Sequence, residues 1–235
     1  QLFDKALAIK TIRQNFDASL SIIYLEPIKL HDAFNLIKIS LLCVKNLRSF
    51  MQSGKFTLAI IVANVLFFVI SFALEYFFGF KSYLFFGLNP YFFEGMPWQL
   101  LSSFFMHGGV MHLAMNMAVL YQFGGILERA FGGIKFTLLY IVGGLLSGAL
   151  CLIYICYAMS MGEIVNIVGA SGAICVLLGV IAYFDERNAG GIFVAILIMS
   201  FAPMLMGVNV AWYAHIAGFA VGYGFGMIQK KFRIL

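Results

Sequence analysis

Long apolar runs separated by short polar segments dominate the pattern of this chain. Most of the runs are long enough for a membrane-spanning helix, which needs roughly 20 apolar residues. Six such runs lie near residues 56–78, 100–123, 135–159, 168–184, 190–206 and 208–228. The charged segment 185–188 separates the fourth run from the fifth, and we interpret Gly190 and Gly191 as helix breakers that complete a tight turn there. The pattern therefore predicts an all-α polytopic membrane protein, a bundle of six transmembrane helices.

The composition agrees with a bilayer environment. Of the 235 residues, 63% are hydrophobic and 11% are charged, and the mean hydropathy is +0.97. Soluble domains carry about 25% charged residues, so this class is excluded. The lipid bilayer is the expected surrounding of most of the chain.

Basic residues predict the orientation and the domain plan. Six spans place both termini on one side, and 14 of the 15 Lys and Arg residues fall there, with only Lys81 opposite. The positive-inside rule assigns that side to the cytoplasm, most simply beneath a bacterial inner membrane. We expect a cytoplasmic segment of unknown role over residues 1–55, a six-helix core over 56–228 and a basic tail over 229–235. The scattered basic residues form no extended face, so no nucleic-acid partner is expected.

Two polar residues inside apolar runs suggest chemistry. Ser171 lies in the sequence Gly169-Ala170-Ser171-Gly172, and His215 lies in the last run. An unpartnered polar group in hydrocarbon costs several kcal/mol, so such residues are functional candidates, although either one alone is more often a packing residue. A serine hydroxyl is a weak nucleophile that needs a base, and His215 can act as that base if the fourth and sixth spans touch. Glycines that permit close helix approach occur in both spans: Gly172, Gly179, Gly218, Gly222 and Gly226.

No acidic residue is available to complete a triad. The fourth and sixth spans contain none, and Asp185 and Glu186 lie 14 and 15 residues beyond Ser171. On a helix that separation is about 21 Å, toward the opposite face of the membrane. The sequence therefore predicts a Ser171/His215 dyad.

The second run contributes further polar groups. His112 and Asn116 are four residues apart and so share one face of a helix, whereas His107 precedes a Gly-Gly pair. His112, Asn116 and the Ser171 amide could together form an oxyanion hole. The alternative is that His112 and Asn116 bond neighbouring helices and only hold the bundle together. His107, His112 and His215 are the candidate metal ligands in the apolar runs. The sequence has no HExxH motif and no intramembrane carboxylate to complete such a site, so we expect no metal site and no cofactor.

Taken together, these motifs resemble the rhomboid family of intramembrane serine proteases over residues 56–228. The matching motifs are the GxSG sequence with Gly169 and Gly172, His215 followed by Gly218, and the second-span set His107, His112 and Asn116. The resemblance implies a six-helix core, a Ser171/His215 dyad and an oxyanion hole that uses His112, Asn116 and backbone amides. It also implies that the substrates are transmembrane proteins.

Two positions depart from the family pattern. Members often carry Trp-Arg in the loop after the first span, where this chain has Trp98-Gln99, so the structural role of that arginine is expected to be absent. Members commonly place an aromatic ring four residues after the nucleophile to stack on the catalytic histidine, and here that residue is Cys175. A thiol offers no such ring face, so other neighbours must orient His215.

The function we predict is hydrolysis of peptide bonds in or near the transmembrane segments of other membrane proteins. One alternative is an inactive rhomboid-like protein that binds membrane clients without cleaving them. A second is a small-solute or proton channel that uses His107, His112 and His215 as a relay, although the chain lacks the inverted repeat common in transporters.

Overall fold

The computed structural model describes residues 54–205 and 210–232, so most of the predicted N-terminal segment and the end of the tail lie outside the described residues. Six of the helices in this part have 14 residues or more. The helices are α1 (Lys55–Phe78), α2 (Ser82–Phe86), α3 (Gln99–Ser102), α4 (Val110–Phe131, with a π-helical segment at Leu120–Gly124), α5 (Gly133–Ser160), α6 (Ser171–Phe184), α7 (Glu186–Leu205) and α8 (Trp212–Phe232). The predicted all-α architecture is confirmed.

Three of these helices are long and apolar enough to cross a membrane by length and composition: α1, α4 and α5. Helix α6 is also apolar but has only 14 residues, about 21 Å at 1.5 Å per residue. The hydrocarbon core of a bilayer is about 30 Å thick, so α6 is too short to cross it completely. Its last residue, Phe184, precedes the charged segment that starts at Asp185, which places that end at a membrane face. The other end, at Ser171, therefore begins below the opposite surface.

Two boundaries predicted from the sequence are wrong. The second span begins at Val110 and not near residue 100, because the chain first forms the short helix α3 and then passes through Gly108 and Gly109. Helix α7 already begins at Glu186, so Gly190 and Gly191 lie within a helix and do not break it. Glycine lowers helix propensity by about 1 kcal/mol, which the environment of a long apolar helix readily overrides.

The last helix also extends beyond the predicted limit. Helix α8 runs to Phe232, so the first four residues of the expected basic tail continue the helix. Lys230 lies 5.8 Å from the centre of the Tyr183 ring, near the end of α6. A cation at this distance from an aromatic face is weakly attracted to it.

Helix α6 forms the centre of the bundle. All residues from Ala173 to Val180 are buried, and α4, α5, α7 and α8 pack around them. A helix that is apolar on every side needs such an enclosed position. Helix α1, by contrast, exposes large apolar side chains such as Val62, Leu66 and Ile70, as expected for a surface that faces lipid.

Glycines bring α6 and α8 into backbone contact. A Cβ atom on Gly218 would collide with the carbonyl oxygen of Gly172, and one on Gly222 would collide with the backbone of Val176. A Cβ on Gly179 would lie 2.8 Å from the backbone nitrogen of Tyr223. Removing side-chain bulk in this way is how membrane helices pack closely without a hydrophobic driving force between them.

A buried carboxylate joins α4 to the start of α1. Glu128 accepts hydrogen bonds from the backbone nitrogens of Phe56 and Thr57, at 3.0 and 2.7 Å, and from the Thr57 hydroxyl at 2.7 Å. These amides belong to the first turn of α1, which lacks internal acceptors for them. The negative charge also lies at the positive end of the helix dipole, so it fixes the N-terminus of α1.

Gln99, which stands where family members often carry an arginine, organises the segment between α1 and α3. Gln99 is fully buried. Its Nε2 donates to the Leu84 carbonyl at 3.0 Å, and its Oε1 accepts from the Asn89 backbone nitrogen at 3.2 Å. Asn89 in turn donates to Asn166 at 3.1 Å, in the segment before Ser171. A neutral amide is therefore sufficient to tie this loop together.

The α6–α8 contact leads to a stability prediction. In Gly222→Ala, the new methyl group would lie 2.9 Å from the Val176 Cα and closer still to the Val176 carbonyl. The helices must separate, and we expect a loss of about 1–3 kcal/mol, the usual cost of overpacking. Unfolding in detergent measures this loss.

Gly224→Ala is the matched control, because a Cβ atom at Gly224 in the same helix meets nothing within 4 Å. Equal stability of the two variants would contradict the close contact described here.

Candidate active site

Ser171 is the first residue of α6. The preceding residue, Ala170, is the N-cap and offers no side-chain hydrogen bond to the helix. The backbone N–H groups of the first turn therefore lack intrahelical acceptors, and the positive end of the helix dipole lies beside the half-buried Ser171 side chain. An anion that forms next to this hydroxyl would meet favourable electrostatics.

The turn that leads to Ser171 is held by the segment before α4. The Gly169 backbone nitrogen donates to the Ser103 carbonyl at 2.8 Å, and the Ala170 nitrogen donates to His107 Nε2 at 3.4 Å. His107 is buried, and its Nδ1 lies 3.1 Å from the Phe105 carbonyl. Because the carbonyl can only accept, the His107 proton is on Nδ1 and Nε2 is the acceptor. His107 thus holds the turn.

His112 and Asn116 reach the same turn from α4. A Cβ atom on Gly169 would lie 2.7 Å from His112 Nε2 and 3.7 Å from Asn116 Nδ2. Gly169 has φ +112°, a conformation that favours glycine. Asn116 Nδ2 donates one hydrogen to the His112 carbonyl at 2.9 Å, within its own helix, which leaves its second amide hydrogen available.

His215 lies in α8 on the other side of the α6–α8 contact. It precedes Gly218 by three residues, and Gly218 meets the carbonyl of Gly172, which directly follows Ser171. The side chain of His215 is buried. Within residues 54–205 and 210–232, Ser171 and His215 form no direct hydrogen bond. The structure therefore brings Ser171, His112, Asn116 and His215 to one region of the bundle, but it shows no hydrogen bond between Ser171 and His215.

The hydrogen-bond partner of His215 is a residue that the sequence analysis missed. His215 Nδ1 lies 2.8 Å from the hydroxyl oxygen of Ser200, in α7. The fifth span contains no ionisable side chain, and a lone serine in an apolar helix usually bonds its own backbone, so nothing in the sequence distinguished Ser200.

Cys175 occupies a position where little space is available. It is buried, and a Cβ atom on Gly218 would lie 3.0 Å from the Cys175 Cβ. The small thiol therefore fits the tight crossing of α6 and α8. As expected, it cannot support the His215 ring with an aromatic face. Among the described residues, no group of three or more His, Cys, Asp or Glu side chains is arranged to hold a metal ion.

Comparison with known proteins identifies the family of this chain. The family model described as "Rhomboid domain" matches residues 94–232. The chain is 29% identical over 145 residues to "Rhomboid protease GlpG" of Haemophilus influenzae, a match that covers 58% of this chain and 71% of that protein.

Two further relatives match over a smaller part of their length. "RHOMBOID-like protein 4" of Arabidopsis thaliana is 35% identical over 139 residues, which is 56% of this chain and 34% of the plant protein. "Rhomboid protease GluP" of Bacillus subtilis is 32% identical over 95 residues, or 40% of this chain and 17% of the bacterial protein. The chain thus spans about a third or less of these two relatives.

The matched region includes α4 to α8 and contains every polar residue of the candidate site. The chain is a member of the rhomboid family of multi-pass integral membrane proteins.

Proposed function

We propose that this chain is an intramembrane serine endopeptidase that uses a Ser171/His215 dyad. The observation that carries the proposal is the position of Ser171 at the free N-terminus of the short helix α6, directly beside the backbone contact with α8 near His215. The family relationship supports the same activity, since relatives of this chain are named rhomboid proteases.

In this mechanism the Ser171 oxygen attacks the carbonyl carbon of the scissile peptide bond. His215 takes the hydroxyl proton as the new C–O bond forms, and then gives it to the leaving amine as the C–N bond breaks. A water molecule attacks the resulting ester, again with His215 as base, and releases the new carboxyl end and the Ser171 hydroxyl. The missing Ser171–His215 hydrogen bond is compatible with this role, because such bonds often tighten only when substrate is bound.

Negative charge develops on the substrate carbonyl oxygen during each attack. We assign its stabilisation to the Ser171 amide, the second amide hydrogen of Asn116 and the His112 imidazole, which meet beside Gly169. Preorganised donors of this kind typically contribute a factor of roughly 100 to 1,000 each in rate. His107 does not face the oxyanion in this proposal, since its Nε2 is already engaged by Ala170.

The substrates we propose are other proteins whose transmembrane helices reach the site within the bilayer. The distribution of basic residues supports a location with both termini in the cytoplasm, most simply in a bacterial inner membrane. Ser171 would then face the non-cytoplasmic half of the membrane, where water enters a polar cavity between the helices.

The dyad is tested by reconstituting the protein with a transmembrane reporter substrate. We expect Ser171→Ala to abolish both cleavage and labelling by a fluorophosphonate, because the nucleophile is gone. We expect His215→Ala to lower the cleavage rate by about 100-fold to 10,000-fold, the usual contribution of a general base. Ser160→Ala, a change at an exposed serine at the end of α5, is the control and should retain activity.

If folded wild-type protein neither cleaves several reporters nor takes the label, the protease proposal is wrong. Binding of the same reporters without cleavage would then favour the membrane-client binder.

The oxyanion assignment predicts a specific effect of Gly169→Ala. The new methyl group would meet the His112 ring at 2.7 Å and displace it, so the cleavage rate should fall by roughly 100-fold or more. Gly162→Ala is the matched control, since Gly162 also has a positive φ of +76° but its Cβ would meet nothing within 4 Å. Both variants carry the backbone strain of about 1–2 kcal/mol, so equal cleavage rates in the two would contradict the assignment.

Substrate choice should depend on how easily the target helix unwinds. The scissile carbonyl must leave its helical hydrogen bond before Ser171 can attack it, so small or helix-destabilising residues near the bond should speed cleavage. The measurement compares one reporter with Gly or with Leu at the residues that flank the cut. Equal rates for the two reporters would count against this preference.

A further inference from the structure

Ser200 is a buried hydroxyl with two partners. Its oxygen lies 2.7 Å from the Ile196 carbonyl, one turn earlier in α7, and 2.8 Å from His215 Nδ1 in α8. Ser200 is fully buried and His215 is 5% exposed, so water cannot readily replace either contact. The bond to His215 joins α7 to the proposed general base.

The two contacts together assign the protons. A carbonyl oxygen can only accept, so the single hydroxyl hydrogen of Ser200 is donated to Ile196. The Ser200 oxygen must therefore accept the bond from His215, and Nδ1 of the imidazole carries the hydrogen. In a neutral imidazole this leaves Nε2 unprotonated, which is the form that can take a proton from a serine.

We propose that Ser200 is a positioning residue for catalysis, which fixes the tautomer and the ring orientation of His215. This inference rests on the proposed function. Ser200 acts only through His215 and does not touch the substrate. When His215 accepts the Ser171 proton and becomes positively charged, Ser200 continues to accept the Nδ1 hydrogen, and hydrogen bonds to a charged donor are the stronger kind.

The arrangement gives a physical reason why the site functions without an acidic third residue. The described parts of α6 and α8 contain no carboxylate, and the buried thiol of Cys175 cannot hold the ring by stacking. A neutral hydroxyl, already anchored to its own helix by the Ile196 bond, orients the imidazole without placing a charge in the bilayer.

The variant Ser200→Ala tests the proposal by removing the acceptor. We expect kcat for reporter cleavage to fall by roughly 10-fold to 100-fold with little change in KM, because the substrate contacts remain intact. The rate of fluorophosphonate labelling at Ser171 should fall by a similar factor. Ser200→Thr keeps the hydroxyl and can keep the bond to the carbonyl four residues earlier, so it should restore most of the lost rate.

Ser147→Ala is the matched control for packing. Ser147 is another buried serine against α8, and its hydroxyl donates to the Ala214 carbonyl at 3.2 Å, directly before His215. Its removal costs the same kind of buried hydrogen bond without altering the partner of the imidazole. We expect Ser147→Ala to keep kcat close to the wild-type value.

A second readout does not depend on activity. Nitrogen-15 NMR of histidine-labelled protein, with the His215 signals identified by their loss in His215→Gln, should show a protonated Nδ1 in the wild type and a mixture of tautomers in Ser200→Ala. A proton on Nε2 in the wild type, or an unchanged kcat in Ser200→Ala, would overturn the role of Ser200. Wild-type protein that neither cleaves nor labels would instead overturn the proposed function, whatever the tautomer.

Discussion

The backbone contact between α6 and α8 is the constraint on which the rest of the site depends. The helices approach this closely because Gly179, Gly218 and Gly222 present no side chain at the crossing, where a Cβ atom would collide with the backbone of the facing helix. The contact places the first residue of α6 and the His215 region of α8 at one level of the bundle. It also makes the site sensitive to packing, since one added methyl group at this crossing must push the helices apart.

The remaining elements hold this pair in place with hydrogen bonds that lipid cannot replace. Glu128 fixes the start of α1, Gln99 ties the loop before α3, and His107 holds the turn that leads to Ser171. In a medium without water, each unsatisfied group would cost several kcal/mol, so these contacts define position as well as stability. Under the proposed mechanism, some polar residues of this chain contact the substrate and the others align them.

Sequence reasoning succeeded where the signal was local and periodic. Apolar runs predicted the helices, and the spacing of His112 and Asn116 predicted a shared helix face. The predicted start of the second span was wrong because hydropathy does not distinguish an apolar loop from an apolar helix. The predicted helix break at Gly190 was wrong because membrane helices tolerate glycine. The organising role of Gln99 was missed for another reason: its shortest hydrogen bonds are to backbone groups that no motif reveals.

The sequence by itself determined the environment and the helical class, and it predicted which residues carry the chemistry, because composition and intramembrane polar groups are constrained by the cost of burial in lipid. It also predicted that the glycines of α6 and α8 permit close approach. Only the tertiary structure decided which partner each polar side chain has. Ser200 reaches His215 from a third helix across 15 positions of sequence, and such a pairing depends on how α7 and α8 pack, which no local pattern encodes.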